Sequence, residues 1–374
     1  MKIARIEIYQ HDLPVMGGIY RLSGGREYTS YDATFVRIVS EDGLEGWGET
    51  TPFGSTYIAS HAGGARAAIA LLAPKLIGQD PRAHDRRQDI MSEALSGHRD
   101  ARCALDVACW DMTARAAGLP LCDMLGGRVP GAVPVISSIG GDGPEAMRAK
   151  VAHHRAAGFL GHSIKIGASE ADGGPMLDAE RIGACLADRQ PGEWFQADAN
   201  NGMSPEQVLR LLALLPKATD IVLEAPCSSW AETASLRARC RLPIMLDELV
   251  QSEADLIDAI RRDICDGVGL KVSKQGGITA MTRQRTIAAA AGLVMSIQDT
   301  VGSEISAATI FHLAQSTPRH LLRCALDPRA MVGTQIASLD APVRHGGVEA
   351  PRAPGLGVTP DLTKLGNPIA TYEA

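Results

Sequence analysis

The sequence predicts an α/β protein built on a (β/α) barrel, with a smaller α+β domain in front of it. Three observations lead there. From about residue 129 to 328, short β-branched runs alternate with helical segments in seven or eight units, a rhythm that suits a barrel better than an open sheet. Residues 1 to about 60 read as antiparallel strands and are followed by helical patterns. A tail rich in Gly and Pro, "GGVEAPRAPGLGVTPDL", comes after the barrel segment and is expected to pack back on the first domain. With 374 residues, the chain is longer than the roughly 250–300 residues at which one core stops growing.

In the first domain, "KIARIEIYQHDL" and "ATFVRIVSEDGLEGWGET" alternate apolar and polar positions, and "SEDG" supplies turn chemistry between two strands. Helices follow in "GGARAAIALLAPKLIG", around 84 to 96, and in "RDARCALDVACWDMTARAAG", which stops at Gly118 with Pro120 just beyond. After "LGGRVPGAVP" the strand candidates are "VPVISSIG", "HSIKIG", "WFQADAN", "DIVLEAP", "PIMLDEL", "GVGLKVS", "LVMSIQD" and "LLRCALD". Between them lie helices such as "SPEQVLRLLALLP", "SEADLIDAIRRD" and "GGITAMTRQRTIAAAAG". The expected division is therefore 1–128 for the α+β domain, 129–328 for the barrel, and 329–374 for the returning segment.

Composition narrows the function classes. A net charge of -6 with both signs interleaved offers no basic face for a nucleic acid. The eight cysteines never fall at C-x-x-C spacing, and several sit in apolar helical patterns, so they read as buried free thiols of a reducing compartment. The start "MKIARIEIYQ" lacks the apolar core of a signal peptide, and the richest apolar run, "IAAAAGLVM", holds nine residues, too few to span a bilayer. A cytoplasmic protein with no membrane partner is expected.

Barrel enzymes carry their chemistry at the C-terminal ends of the strands. Here those ends are charged. "WFQAD" ends on Asp198, "DIVLE" on Glu224 and "PIMLD" on Asp247, each about one βα unit after the last. A single such residue could simply cap the next helix. Three in phase repel one another unless a cation sits among them, and an all-oxygen set suits Mg²⁺. Lys165 ends the second run and Lys271 the sixth, on opposite sides of such a metal, and burial is expected to lower a lysine's pKa toward the range of a base. Lys274, past the strand end, reads as a lesser player. The pattern specifies removal of the α-proton of a carboxylate substrate through an enediolate. Return of a proton by the second lysine makes a racemase or epimerase; departure of a β-substituent makes a dehydratase or cycloisomerase.

The residues "ALDVACWDMTARAAGLPLCDMLGG", Lys165, the ordered Asp198, Glu224 and Asp247, and "LKVSKQGG" resemble the enolase superfamily, in its mandelate racemase/muconate lactonizing enzyme group, over essentially the whole chain. A Lys or His base working with Mg²⁺ is that superfamily's shared chemistry. The resemblance implies a capping domain built from both chain ends over a modified (β/α)7β barrel, one Mg²⁺ on the three carboxylates, and Lys165 and Lys271 as opposed acid/base groups. It also implies a second acidic residue at the fifth strand end, Glu248, and a homo-oligomer acting on a small amino-acid-like carboxylate. Sugar-acid dehydratase branches place a catalytic His at the end of the seventh strand, where this chain has Gln298 and Asp299; His312, the nearest, falls in a helical pattern and reads as structural.

At the second strand many dipeptide epimerases and muconate cycloisomerases have Lys-x-Lys, whereas Ser163 stands at the first position here. With "TPFGSTYIASHAGG" and "PGLGVTPDLTKLGNPI", this resembles the branch acting on proline derivatives: cis-3-hydroxy-L-proline dehydratases and the proline or hydroxyproline betaine epimerases. Val301 and Leu326 stand where betaine enzymes carry aromatics, which favours a free cyclic amino acid over a quaternary ammonium. Asp299 is then the candidate for the substrate ammonium, Tyr57 for stacking on the substrate, and Tyr20 for the same lid. The alternatives are an N-acylamino acid or dipeptide epimerase, a muconate-type cycloisomerase, and a carboxylate-binding pseudoenzyme. Binding alone would not need two opposed lysines.

Overall fold

A computed structural model describes residues 1–373 of the chain. Its first strand, Ile3–Pro14, pairs antiparallel with Ser30–Ser40, which pairs in turn with Glu45–Thr50. One face of this sheet buries Ile6, Ile8, Val36 and Ile38 against the helices Ala62–Leu76 and Arg99–Ala117. The long helix lies unusually close to the Glu45–Thr50 strand, and the sequence "EGWGE" explains how: a Cβ on Gly48 would stand 2.0 Å from the Ala104 carbonyl oxygen, and one on Gly46 2.1 Å from that of Ala108. Any side chain at either glycine would push the helix off the sheet.

Eight parallel strands then close a barrel. They are Val133–Ile139, Gly161–Lys165, Trp194–Asp198, Val222–Glu224, Ile244–Leu246, Gly267–Lys271, Val294–Gln298 and Leu322–Leu326, named first to eighth below. Closure is explicit, because Ala325 and Leu326 of the eighth pair with Val135 and Ile136 of the first. Long helices follow the first seven strands, whereas the eighth leads only into the 3-10 turn Pro328–Met331. The architecture is thus the (β/α)7β barrel with a separate sheet as cap.

The returning segment divides its contacts. Gly347–Val348 adds antiparallel to the first barrel strand, so its middle covers the barrel and not the cap. Its end, Ala370–Glu373, pairs with Arg5–Ile8 and makes the edge of the cap sheet. Both chain ends therefore meet in one sheet. All eight cysteines are free thiols, and seven are buried. Among the described residues no helix is long and apolar enough to cross a membrane.

Candidate active site

The acidic strand ends do not cap the helices that follow them. That task falls to Ser204, Ser229 and Ser252, each accepting a backbone N–H of the first helical turn. The carboxylates are left for the barrel mouth. Register aligns them: Lys165 lies beside Asp198, Asp198 beside Glu224, and Glu224 beside Met245, two residues before Asp247. Asp198, Glu224 and Asp247 are 3%, 1% and 1% exposed, and Lys165 and Lys271 8% and 5%. Backbone strain gathers here as well, with Asn200 at φ 43° and Ala225, just after Glu224, at φ 41°.

A small chamber of about 30 Å³, lined by Lys165, Lys271, Asp198, Glu224, Asp299, Tyr20 and Tyr57 among others, forms where the cap meets the barrel mouth. That space holds roughly two waters. Lys165 contacts Asp198. Lys271 contacts Asp247 at 2.5 Å. Burial disfavours both ammonium groups, yet the neighbouring carboxylate outweighs it in each case, so both lysines titrate above their ordinary range. This corrects the expectation that burial lowers them: each sits on an opposite charge, and the pairing wins. Glu224 is pushed up to about 8 by burial and by the charges of Asp198 and Asp247. Burial would lift Asp247 too, but Lys271 and Lys274 hold it well below the carboxylate range.

The other expected residues are placed as follows. Tyr57 does not lie flat over an open substrate space; its hydroxyl meets Lys271, and its ring centroid is 4.8 Å from that lysine's Nζ. The Tyr20 hydroxyl lies 2.5 Å from Ser138 Oγ at the end of the first strand. Asp299 faces the chamber but is partly committed, accepting N–H groups from Ser273 at 3.1 Å and Thr300 at 2.7 Å. Glu248 accepts from Asn200 Nδ2 at 3.1 Å, while its Oε2 is buried with no partner among the described residues.

Several residues take parts that the sequence did not assign to them. Lys274 is no bystander: the short helix Val272–Gln275 turns it back beneath the sixth strand, where it donates to Asp247 Oδ1 at 2.6 Å, Asp247 O at 2.6 Å and Gly269 O at 3.2 Å. Its place three residues after Lys271 was the available signal. Phe53 links Tyr20 and Tyr57 into an aromatic cap wall, with centroid separations of 5.5 and 5.7 Å. Gln196 and Gln298 donate to the two oxygens of Glu224.

In this arrangement the carboxylates are not gathered about one point, and among the described residues no three His, Cys, Asp or Glu side chains stand close enough to share an ion. Lysines hold two of the three. The chemistry of the donor set nonetheless fits a hard divalent cation: the donors are all oxygen, they come from adjacent strands, and the mutual repulsion that lifts Glu224 is what a cation relieves.

Comparisons with known proteins agree with this architecture. Residues 146–364 match the family model described as "Enolase C-terminal domain-like", and residues 27–126 match "Mandelate racemase / muconate lactonizing enzyme, N-terminal domain". A cis-3-hydroxy-L-proline dehydratase from Roseibium aggregatum is 36% identical over 373 residues, covering 100% of both chains. An N-succinyl-L-Arg/Lys racemase from Bacillus cereus is 26% identical over 84% of this chain and 85% of its own. A solved structure from Roseovarius nubinhibens ISM, assigned to the mandelate racemase/muconate lactonizing enzymes and complexed with magnesium, is 72% identical over 100% of both chains with a TM-score of 0.98. By both of its domains and over its full length, this chain belongs to the mandelate racemase/muconate lactonizing enzyme family of the enolase superfamily.

Proposed function

We propose that the chain removes the α-proton of a proline-type carboxylate in a Mg²⁺-dependent reaction, with dehydration of cis-3-hydroxy-L-proline as the leading activity. The observation that carries this reading is the placement of Lys165 and Lys271. They end the second and sixth strands, face one small chamber, and have the three acidic strand ends between them in barrel order. The full-length similarity to a cis-3-hydroxy-L-proline dehydratase supports the substrate class.

Asp198, Glu224 and Asp247 would hold one Mg²⁺. When bound, that ion supplies Lewis acidity, which acidifies the α-proton and offsets charge gathering on the substrate carboxylate. The chain's own residues do the rest. With Asp198 turned to a bound cation, the pairing that holds Lys165 as an ammonium would be released, and the neutral amine would accept the proton at Nζ on one face of the substrate. Lys271, on the other face, protonates the departing 3-oxygen as water. Tyr20, Phe53 and Tyr57 close the cap side and exclude bulk water. Asp299 is the partner for the substrate's ring nitrogen.

The second reading is 2-epimerisation of a proline or hydroxyproline derivative, with Lys271 returning its proton to carbon. Racemases and epimerases among the similar proteins favour keeping it. Incubation with Mg²⁺ and proline derivatives in D₂O, followed by proton NMR, decides. Loss of the α-proton signal with a new alkene-derived product supports dehydration, and exchange with appearance of the epimer supports the second reading. No exchange on any proline derivative, with metal bound, removes both.

A further inference from the structure

We infer that Gln196 and Gln298 are positioning residues that fix the carboxylate of Glu224 in one orientation for a divalent cation, an inference that rests on the Mg²⁺ reading above. Of the three acidic strand ends, Asp198 and Asp247 are each met by lysine, whereas Glu224 forms no ion pair among the described residues. Two neutral amides meet it instead. Gln196, two residues before Asp198 on the third strand, donates from Nε2 to Oε2; Gln298, at the end of the seventh strand, reaches across to donate from Nε2 to Oε1 at 3.2 Å.

Donors on both oxygens fix the plane of the carboxylate, which a single contact cannot do. Because amides carry no charge, they orient Glu224 without an ion pair that a metal would have to displace. The clamp is itself anchored. Gln298 Nε2 also donates to Ser296 Oγ at 2.7 Å, and that hydroxyl lies 2.9 Å from Cys324 Sγ on the eighth strand. Space for it is reserved on the sixth strand: a Cβ on Gly269 would stand 3.2 Å from Glu224 Oε1 and 3.4 Å from Gln298 Nε2. The side chain at the end of the seventh strand is thus part of the acidic cluster's support, and its reach across the barrel mouth explains why a glutamine stands there.

The test is isothermal titration of the full chain with MgCl₂, without substrate, for the native protein and for Gln196→Met, Gln298→Met, Gln196→Asn and Gln298→Asn. Methionine keeps the shape and removes the donor; asparagine keeps the amide but falls short of Glu224. Each variant is expected to bind Mg²⁺ about 10- to 100-fold more weakly, with an unchanged thermal transition in EDTA. If a methionine variant does not fold, its asparagine counterpart carries the test. Mg²⁺ affinity within twofold of native in folded variants at both positions overturns the inference. A native chain that binds no Mg²⁺ fails at the earlier step and overturns the metal reading itself.

Discussion

The phenol of Tyr57, carried on a loop of the cap, meets Nζ of Lys271 at the end of the sixth barrel strand. Its hydroxyl is also 3.4 Å from Asp247 Oδ2, and its ring centroid lies 4.8 Å from the lysine nitrogen. Cap and barrel therefore join through a candidate acid/base group. A cation–π contact contributes about 0.5 to 2 kcal/mol, or roughly 2- to 30-fold. Tyr57→Phe, which keeps the ring, is expected to lose less activity than Tyr57→Ala, which loses ring and hydroxyl and should fall by about 30-fold or more in kcat/KM. Rates of α-proton exchange by NMR check this, and equal rates for native and Ala chains would leave Tyr57 no role at Lys271.

Lys165 and Lys271 stand on opposite sides of the barrel mouth, so their loss should be felt on opposite faces of the substrate. A positioned base contributes about 10²- to 10⁴-fold. In a dehydratase that uses Lys165 as base, Lys165→Ala should abolish both exchange and water loss, whereas Lys271→Ala should retain exchange while dehydration falls by about that factor. In an epimerase each variant should silence one stereoisomer and spare the other. Exchange at native rates in both variants would make the lysines structural.

How far these roles were legible in the sequence depends on where the information lies. Strand-end charges repeat once per βα unit, and that spacing alone is enough to bring Lys165, Asp198, Glu224 and Lys271 to one chamber. The cap sheet was readable from alternation, as in Ile6, Ile8, Val36 and Ile38. What could not be read depends on contacts across the barrel. Nothing local tells that Gln298 reaches Glu224, that Lys274 meets Asp247, or that Lys165 and Lys271 would be held as ammonium groups by Asp198 and Asp247 in the absence of a cation. Pairing partners set these properties, and the partners come from distant positions in the chain.

A buried pair within the cap, joined to the barrel through Thr279, also makes a prediction. Arg87 Nη2 lies 3.3 Å from Asp106 Oδ1, both essentially inaccessible, and Asp106 accepts from Thr279 N at 2.9 Å and Thr279 Oγ1 at 2.8 Å, just after the turn that carries Lys271 and Lys274. Removing one partner of a buried pair leaves an uncompensated charge and costs about 3–5 kcal/mol. Arg87→Met should lower stability by that order in urea unfolding. A loss under about 1 kcal/mol would show that the Thr279 donors alone satisfy Asp106.

His312 sets an acid limit on stability. On the helix Glu304–Gln315, its Nδ1 accepts the Cys122 N–H at 3.2 Å, which places the proton on Nε2, and Nε2 donates to the Leu356 carbonyl at 3.2 Å. The ring thus ties the barrel to the segment after the cap helices and to the returning tail. Burial pushes its pKa down to about 3, with the nearby Arg128 acting in the same direction and the Leu356 carbonyl opposing it. The folded value lies below the unfolded value of about 6.5, so the unfolded chain binds the proton first. The stabilisation is fully present above pH 6.5 and is lost as pH falls from there toward 3, at up to about 1.4 kcal/mol per pH unit for the one proton. Other groups titrate in that range too, and comparison with His312→Asn isolates this one. The variant is expected to be less stable at pH 7.5 and to show a shallower loss between pH 6.5 and 5, read from urea unfolding at each pH. Parallel stability curves for the two chains would mean that the ring takes up its proton alike in the folded and unfolded states, and that its neutral, doubly bonded form does not hold these segments together.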